Sequence, residues 1–210
     1  MMMAAAQPDL GYGTMLVVVL LSAAFTDNIL LTRYLGMCPF LAVSRQLKSA
    51  VGMGLAVVVV CTGTCFLNWL LYTYVLIPLK AYHVPAESLK LILFIVVIAG
   101  FVQLMEMVVE RISLSLYFAL GIFLPLITVN CAILGASLFM VNKDLTAVQA
   151  LVFGFGSGLG WLIAIVLMAG IRHRLQKARI PEALDGPGIT LIITGIMALT
   201  FLIFQGMIKV

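Results

Sequence analysis

Charged residues divide this chain into long apolar windows. Positions 49–79, between Lys48 and Lys80, carry no charge, and neither do 112–142, between Arg111 and Lys143. The stretches 145–171 and 186–208 are likewise uncharged. A helix needs about 20 apolar residues to cross a bilayer, so each window is long enough. Two further segments are apolar but interrupted: about 14–44, which contains Asp27 and Arg33, and about 89–109, with Glu106 near its end. The pattern predicts an all-α protein of six crossings with short linkers. It leaves no room for a soluble domain, so 1–210 reads as a single membrane domain.

Composition agrees with the pattern. The chain is 64% hydrophobic and 10% charged, with a mean hydropathy of +1.22. A soluble domain is about 45–50% apolar and about 25% charged. No zinc-type Cys/His spacing, phosphate loop with its lysine or Ser/His/Asp arrangement is visible. Positions 1–13 hold no Lys or Arg, so the positive n-region of a secretory signal is missing there, and the first apolar segment is expected to be retained. The net charge of +4 bears on orientation, because Lys and Arg mark cytoplasmic loops. With the N-terminus outside, the inner loops hold seven such residues (Arg45, Lys48, Arg111, Arg172, Arg174, Lys177 and Arg179) against four outside (Lys80, Lys90, Lys143 and Lys209), Arg33 set aside. Both termini are therefore expected on the outer side.

The two halves carry related segments. Cys38-Pro-Phe-Leu-Ala-Val-Ser44 and Cys131-Ala-Ile-Leu-Gly-Ala-Ser137 both read Cys-x-x-Leu-small-x-Ser, and each is followed by Gly-x-Gly: Gly52-Met-Gly54 and Gly154-Phe-Gly156. Coincidence among apolar letters is the plainer reading. If the repeat is real, three crossings per half force the second half upside down, and equivalent residues meet near the midplane about a pseudo-two-fold axis.

The cysteines fall into two kinds. Cys61 and Cys65 are i, i+4 on one face of a long apolar helix and read as small buried hydrophobes. Cys38 precedes Pro39, which favours the first turn of a helix. A break is thus expected inside the first segment, with helical pieces over about 15–32 and from Pro39 onward. Cys131 follows Asn130, a good capping residue, and Pro125 should break or kink that span. A thiol at a helix start meets free N–H groups and the positive dipole end, which favour a thiolate; inert cysteines at ordinary kinks are the alternative. Asp27 and Glu106 are ionisable groups within apolar segments, where such residues mark pathways or partners. Glu106 precedes Glu110 and Arg111 and reads as interfacial; Arg33 could pair with Asp27 across the break. Gly154-Phe-Gly-Ser-Gly-Leu-Gly160 lacks the lysine of a phosphate loop. Its Gly154-x-x-x-Gly158 and Gly156-x-x-x-Gly160 steps suit close helix packing.

The segments Leu35-Gly-Met-Cys38-Pro-Phe-Leu-Ala-Val-Ser44 and Leu120-Gly-Ile-Phe-Leu-Pro-Leu-Ile-Thr-Val-Asn-Cys131-Ala-Ile resemble one family of membrane subunits. It comprises the E subunits of the sodium-translocating NADH:quinone reductases and the A subunits of the Rnf complexes. Gly154-Phe-Gly-Ser-Gly-Leu-Gly-Trp161, Ala169-Gly-Ile-Arg172, Gly188-Ile-Thr190 and Gly195-Ile-Met-Ala-Leu199 extend the match over roughly 20–205. The glycine-rich stretch leans toward the quinone reductases. The resemblance implies six transmembrane helices in two inverted three-helix repeats, about 15–110 and 116–208, with broken first and fourth helices. It implies a bacterial inner-membrane location in a six-subunit complex. It also implies a homologous partner of opposite orientation, the D subunit of the reductase, and a [2Fe–2S] cluster shared with it. The family's cluster ligands fall on Cys38 and Cys131. Cys61 and Cys65 match no family motif, and the stretch before about Leu16 is longer than the family's.

Such a cluster takes four thiolates. Cys38 and Cys131 supply half, and the rest must come from Cys61 and Cys65 or from another chain. A cluster at mid-depth would relay electrons across a core about 30 Å thick, between cofactors in other subunits, with sodium transport coupled by the assembly. The competing readings are a cofactor-free secondary transporter and a purely structural membrane component.

Overall fold

In lipid each backbone N–H and C=O must find its partner within its own segment, so the uncharged windows fold as helices. The computed structural model describes residues 11–80, 86–112, 124–175 and 186–205. Every regular element among them is helical. Helix α1 (Tyr12–Leu21) widens into an i→i+5 turn over Ser22–Thr26, closed by the Asp27 N–H on the Ser22 carbonyl at 2.7 Å. After a break come α2 (Met37–Val43) and α3 (Leu47–Leu71), which continues through a second wide turn (Tyr72–Leu76) to Ile77–Lys80. Then follow α4 (Ala86–Ile112), the short α5 (Leu124–Thr128), α6 (Cys131–Asn142), α7 (Ala147–Leu175) and α8 (Pro187–Gln205). Four spans, Leu47–Leu76, Leu89–Arg111, Pro125–Asn142 and Ala147–Leu175, are long and apolar enough to cross a membrane. Two shorter apolar helices, Tyr12–Thr26 and Pro187–Ile203, accompany them. These account for all six expected segments, although the start of the 112–142 window lies outside the described residues.

The first segment breaks earlier than its sequence suggests. Helix ends at Thr26 rather than about 32, because the Asn28 carboxamide oxygen accepts from the N–H groups of Leu30 (3.0 Å) and Leu31 (3.2 Å). A side chain that serves the following backbone offers it an alternative to the helix. The second piece begins at Met37, one residue before Cys38, with Gly36 as its cap in the left-handed region at φ +82°. Pro39 is tolerated because its missing N–H lies among the first four, which lack helical partners. In the second broken segment the interruption falls at Asn130, not at Pro125, which sits inside α5.

Helices α3 and α7 form the principal packing pair, and they run antiparallel. A Cβ on Gly54 would meet the Leu162 side chain, one on Gly158 would lie 2.7 Å from the Val58 Cα, and one on Gly154 2.9 Å from the Cys61 carbonyl. The opposite glycine face of α7 holds α1: Gly156 packs on Leu20 and Ala23, and Gly160 on Ala24 and Asn28. The two glycine steps thus serve two different neighbours, by the close approach that small residues allow in membranes. Around this centre lie the buried side chains of Leu30, Phe40, Met53, Ile133, Trp161 and Ile165.

Candidate functional site: two helix breaks in contact

The two breaks meet. Asn130 caps α6 in extended conformation, its Oδ1 accepting from the Ala132 N–H at 3.0 Å, as expected of a residue at the N-cap. Cys131 is the first residue of that helix and its thiol is exposed. Gly36, at the cap of α2, donates its N–H to Cys131 Sγ at 2.9 Å. A side chain at Gly36 has no room: its Cβ would lie 2.7 Å from Trp161 Nε1, 2.9 Å from Asn130 Oδ1 and 2.9 Å from the Ala132 methyl. Glycine is needed there both for its backbone angle and for its lack of a side chain. Cys38 follows two residues later, second in α2, and its thiol is also exposed.

The depth of this contact can be read from α7. Trp161 lies at the centre of its 29 residues, so at 1.5 Å per residue the breaks sit roughly 20 Å from either end of the helix. Cys61 and Cys65 do not reach them. Both are buried in α3 against Gly154, two turns along α7 from Trp161, or roughly 10 Å. Their reading as packing residues fits this position. Among the described residues no group of three or more Cys, His, Asp and Glu is arranged to hold a metal. The chain therefore presents two outward-facing thiols at one place, and a four-thiolate centre would need two more from outside.

The polar residues at depth tie the breaks in place. Asn28 donates from Nδ2 to the carbonyls of Ala24 (3.0 Å) and Gly160 (2.9 Å), so all its hydrogen-bonding capacity on the first break is used. Asp27 does pair with Arg33 (3.1 Å), and also with Lys143 (3.0 Å), which sits 116 positions away. Arg33 lies over the Phe139 ring and Lys143 over that of Phe153, a placement that favours both cations. Glu106 is half-buried near the end of α4, in keeping with an interfacial position.

The serines that close the two Cys-x-x-Leu-small-x-Ser segments have matching surroundings. Ser44 accepts from Arg172 of α7 at 2.8 Å, and Ser137 accepts from Asn68 of α3 at 2.9 Å. Each serine is thus held by the long helix of the other half. Arg172 also donates to the Leu41 carbonyl at 3.1 Å. Sequence reasoning placed Trp161 and Arg172 only within matched segments and gave no role to Gly36 or Asn68. A glycine two residues before a cysteine at a helix start was the one local signal; the other contacts join residues far apart in the chain.

Helical spans, glycine-mediated packing and two helix breaks in contact, each carrying an exposed cysteine, define a polytopic membrane protein. The family model for the Rnf-Nqr subunits, described as membrane proteins, matches residues 16–208, and the chain belongs to this family. It is 49% identical over 197 residues to the E subunit of the Na(+)-translocating NADH-quinone reductase of Marinobacter nauticus, covering 90% of this chain and 96% of that one. It is also 49% identical to the E subunit of the Maridesulfovibrio salexigens reductase (91% and 97% covered) and 47% identical to that of Dichelobacter nodosus (90% and 96%).

Proposed function

We propose that this chain is the E subunit, a membrane component, of a sodium-translocating NADH:quinone reductase, and that Cys38 and Cys131 are its two ligands to a [2Fe–2S] cluster completed by the homologous D subunit. The contact of the two breaks carries this reading: it gathers two exposed thiols, one from each half of the chain, at mid-depth. Bare thiols there would be an unexplained polar feature in lipid, whereas bound iron gives them a reason. The near-full-length similarity to subunits of that name supports the identity of the complex. When bound, the cluster supplies a one-electron station that divides a crossing of about 30 Å into two shorter ones.

The chain's own residues prepare that station. Asn130 caps α6 and sets Cys131 at the start of that helix, with its thiol exposed. Gly36 adds an N–H to the same sulfur. Asp27 with Arg33 and Lys143, and Asn28 with Gly160, hold the first break against α6 and α7. The inverted-repeat arrangement is supported by the antiparallel α3 and α7, the parallel α1 and α7, and the paired environments of Ser44 and Ser137.

Iron analysis of the purified complex tests the reading. Iron and acid-labile sulfide should exceed what the other subunits can account for. Replacing both Cys61 and Cys65 by Ala should leave the iron unchanged, because they pack on Gly154 and do not reach the breaks. Loss of iron in that double variant would move the ligands into one chain and remove the shared site. The orientation with both termini in the periplasm rests on the seven-to-four excess of Lys and Arg in the inner loops. A periplasm-only reporter fused after Val210 should be active; signal from a cytoplasm-only reporter there would reverse the topology.

A further inference from the structure

The first break carries more positive charge than it neutralises. Asp27 accepts from Arg33 Nε at 3.1 Å and from Lys143 Nζ at 3.0 Å, so two cations share one carboxylate. The side chains of Asp27 and Lys143 are 17% and 22% exposed, whereas that of Arg33 is 45% exposed. Arg33 gives Asp27 its Nε–H, and among the described residues no other acceptor takes its terminal N–H groups. Asp144, next to Lys143, lines a cleft with Trp69, Tyr72 and Thr73 and forms no ion pair with either cation. Tyr34 follows Arg33 and is 56% exposed, with its backbone in the left-handed region at φ +57°. An aromatic residue is rarely found there, and such strain gathers at functional sites. Its hydroxyl has no hydrogen bond among the described residues.

Depth decides what can answer these groups. Phe139 stands two turns along α6 from Cys131, roughly 12 Å, and the Arg33 guanidinium lies 4.9 Å from the centre of its ring. The breaks sit at mid-depth, and the apolar core extends about 15 Å to either side. The guanidinium is therefore inside the core, short of the lipid phosphates, where charged groups pair with protein groups or face a water-filled cavity. We infer that Arg33 and Tyr34 form the polar part of a surface that meets a second membrane subunit, and that this subunit presents a carboxylate to the Arg33 guanidinium. The inference rests on the proposed shared cluster, which fixes the occupant as the homologous subunit. Tyr34 lies within about 8 Å of Gly36 along the backbone, and Gly36 touches Cys131. A chain that completes a cluster at these thiols thus comes within reach of both side chains. With Nε held by Asp27, the two terminal nitrogens of Arg33 are left to grip a carboxylate through parallel N–H···O bonds. One such carboxylate brings the charge of the group to zero.

Photocrosslinking in membranes that hold the whole complex tests the surface. In a Tyr34→benzoylphenylalanine variant, irradiation should join this chain to the homologous subunit. Arg33→Met keeps most of the stem and leaves Asp27 paired with Lys143, so the chain should accumulate normally in the membrane. About tenfold more of it should then be lost from the complex during purification in detergent, as expected when one partner of a buried charge pair is removed. Arg33→Lys, which keeps the charge, should restore part of the retention. Adducts with lipid alone, with a different subunit, or none at all overturn the inference, and so does full retention of the Arg33→Met chain. Poor accumulation of Arg33→Met in the membrane would place the role of Arg33 within this chain and overturn it as well. Iron analysis of the unmodified complex reads the ligand assignment separately: a crosslink to the homologous subunit without a cluster would overturn that assignment and leave the surface standing.

Discussion

Replacing Cys38 or Cys131 by Ala should abolish the cluster signal and NADH-driven quinone reduction, each to background. On the proposed assignment, a centre that needs four thiolates and takes two from this chain would have no spare ligand. Cys61 and Cys65 cannot substitute, since they are buried against Gly154, roughly 10 Å along α7 from the breaks. Among the described residues no further His, Cys or carboxylate group completes a site with them. NADH oxidation by an artificial acceptor at an upstream flavin should persist, because on this reading that step would not need this chain. The variant complex should also assemble, for both thiols are exposed and loss of an exposed sulfur leaves no core cavity. Ala is the cleaner replacement, because a serine oxygen can itself ligate iron. Either variant assembling with full iron and normal quinone reduction would overturn the assignment in favour of a transporter or a structural component.

The chain's crossings were legible because charge is absent where lipid is. The 49–79 and 145–171 windows became α3 and α7 with ends moved by a few residues, since no charge falls inside them to mislead. The second break was legible locally: Asn130 before Cys131 is a cap, and it caps. The first was only half legible. Pro39 pointed to a nearby helix start, but the start is set by Gly36 and its left-handed backbone, and the earlier helix is ended by Asn28, whose capping bonds to Leu30 and Leu31 are one of several options for an asparagine in an apolar run. Arg33 was a visible candidate for Asp27, being six residues away; Lys143 was not, because nothing local links positions 27 and 143. The side-chain N–H groups of Trp161 and Asn130, buried without an acceptor, were invisible for the same reason. Whether a donor is satisfied depends on what other segments bring to it, and no spacing rule carries that information.

The glycines of α7 should prove as intolerant as the cysteines, by a different route. Gly158→Leu and Gly160→Leu should each keep the chain from accumulating as a folded protein in the membrane. A Cβ at 158 would lie 2.7 Å from the Cα of Val58, and one at 160 would lie 2.7 Å from the Ala24 carbonyl oxygen. Both obstacles are backbone, so neither can rotate away as a flexible side chain could. Helices α3 and α1 would have to retreat from α7, and α1 carries the first break with it. Overpacking a close-packed interior costs about 1–3 kcal/mol for added methylenes, and Leu adds several atoms where one does not fit. The Ala variants separate sterics from propensity. Ala is favoured over Gly in a helix by about 1 kcal/mol, so Gly170→Ala, which has nothing within 4 Å of its Cβ, should be neutral or slightly stabilising. Gly158→Ala and Gly160→Ala should lower the melting temperature of the purified protein despite that gain. Equal melting of all three Ala variants, or normal accumulation of the Leu variants, would mean that α7 does not approach its neighbours this closely. The contact of Gly36 with Trp161, and with it the meeting of the two breaks, would then lose its support.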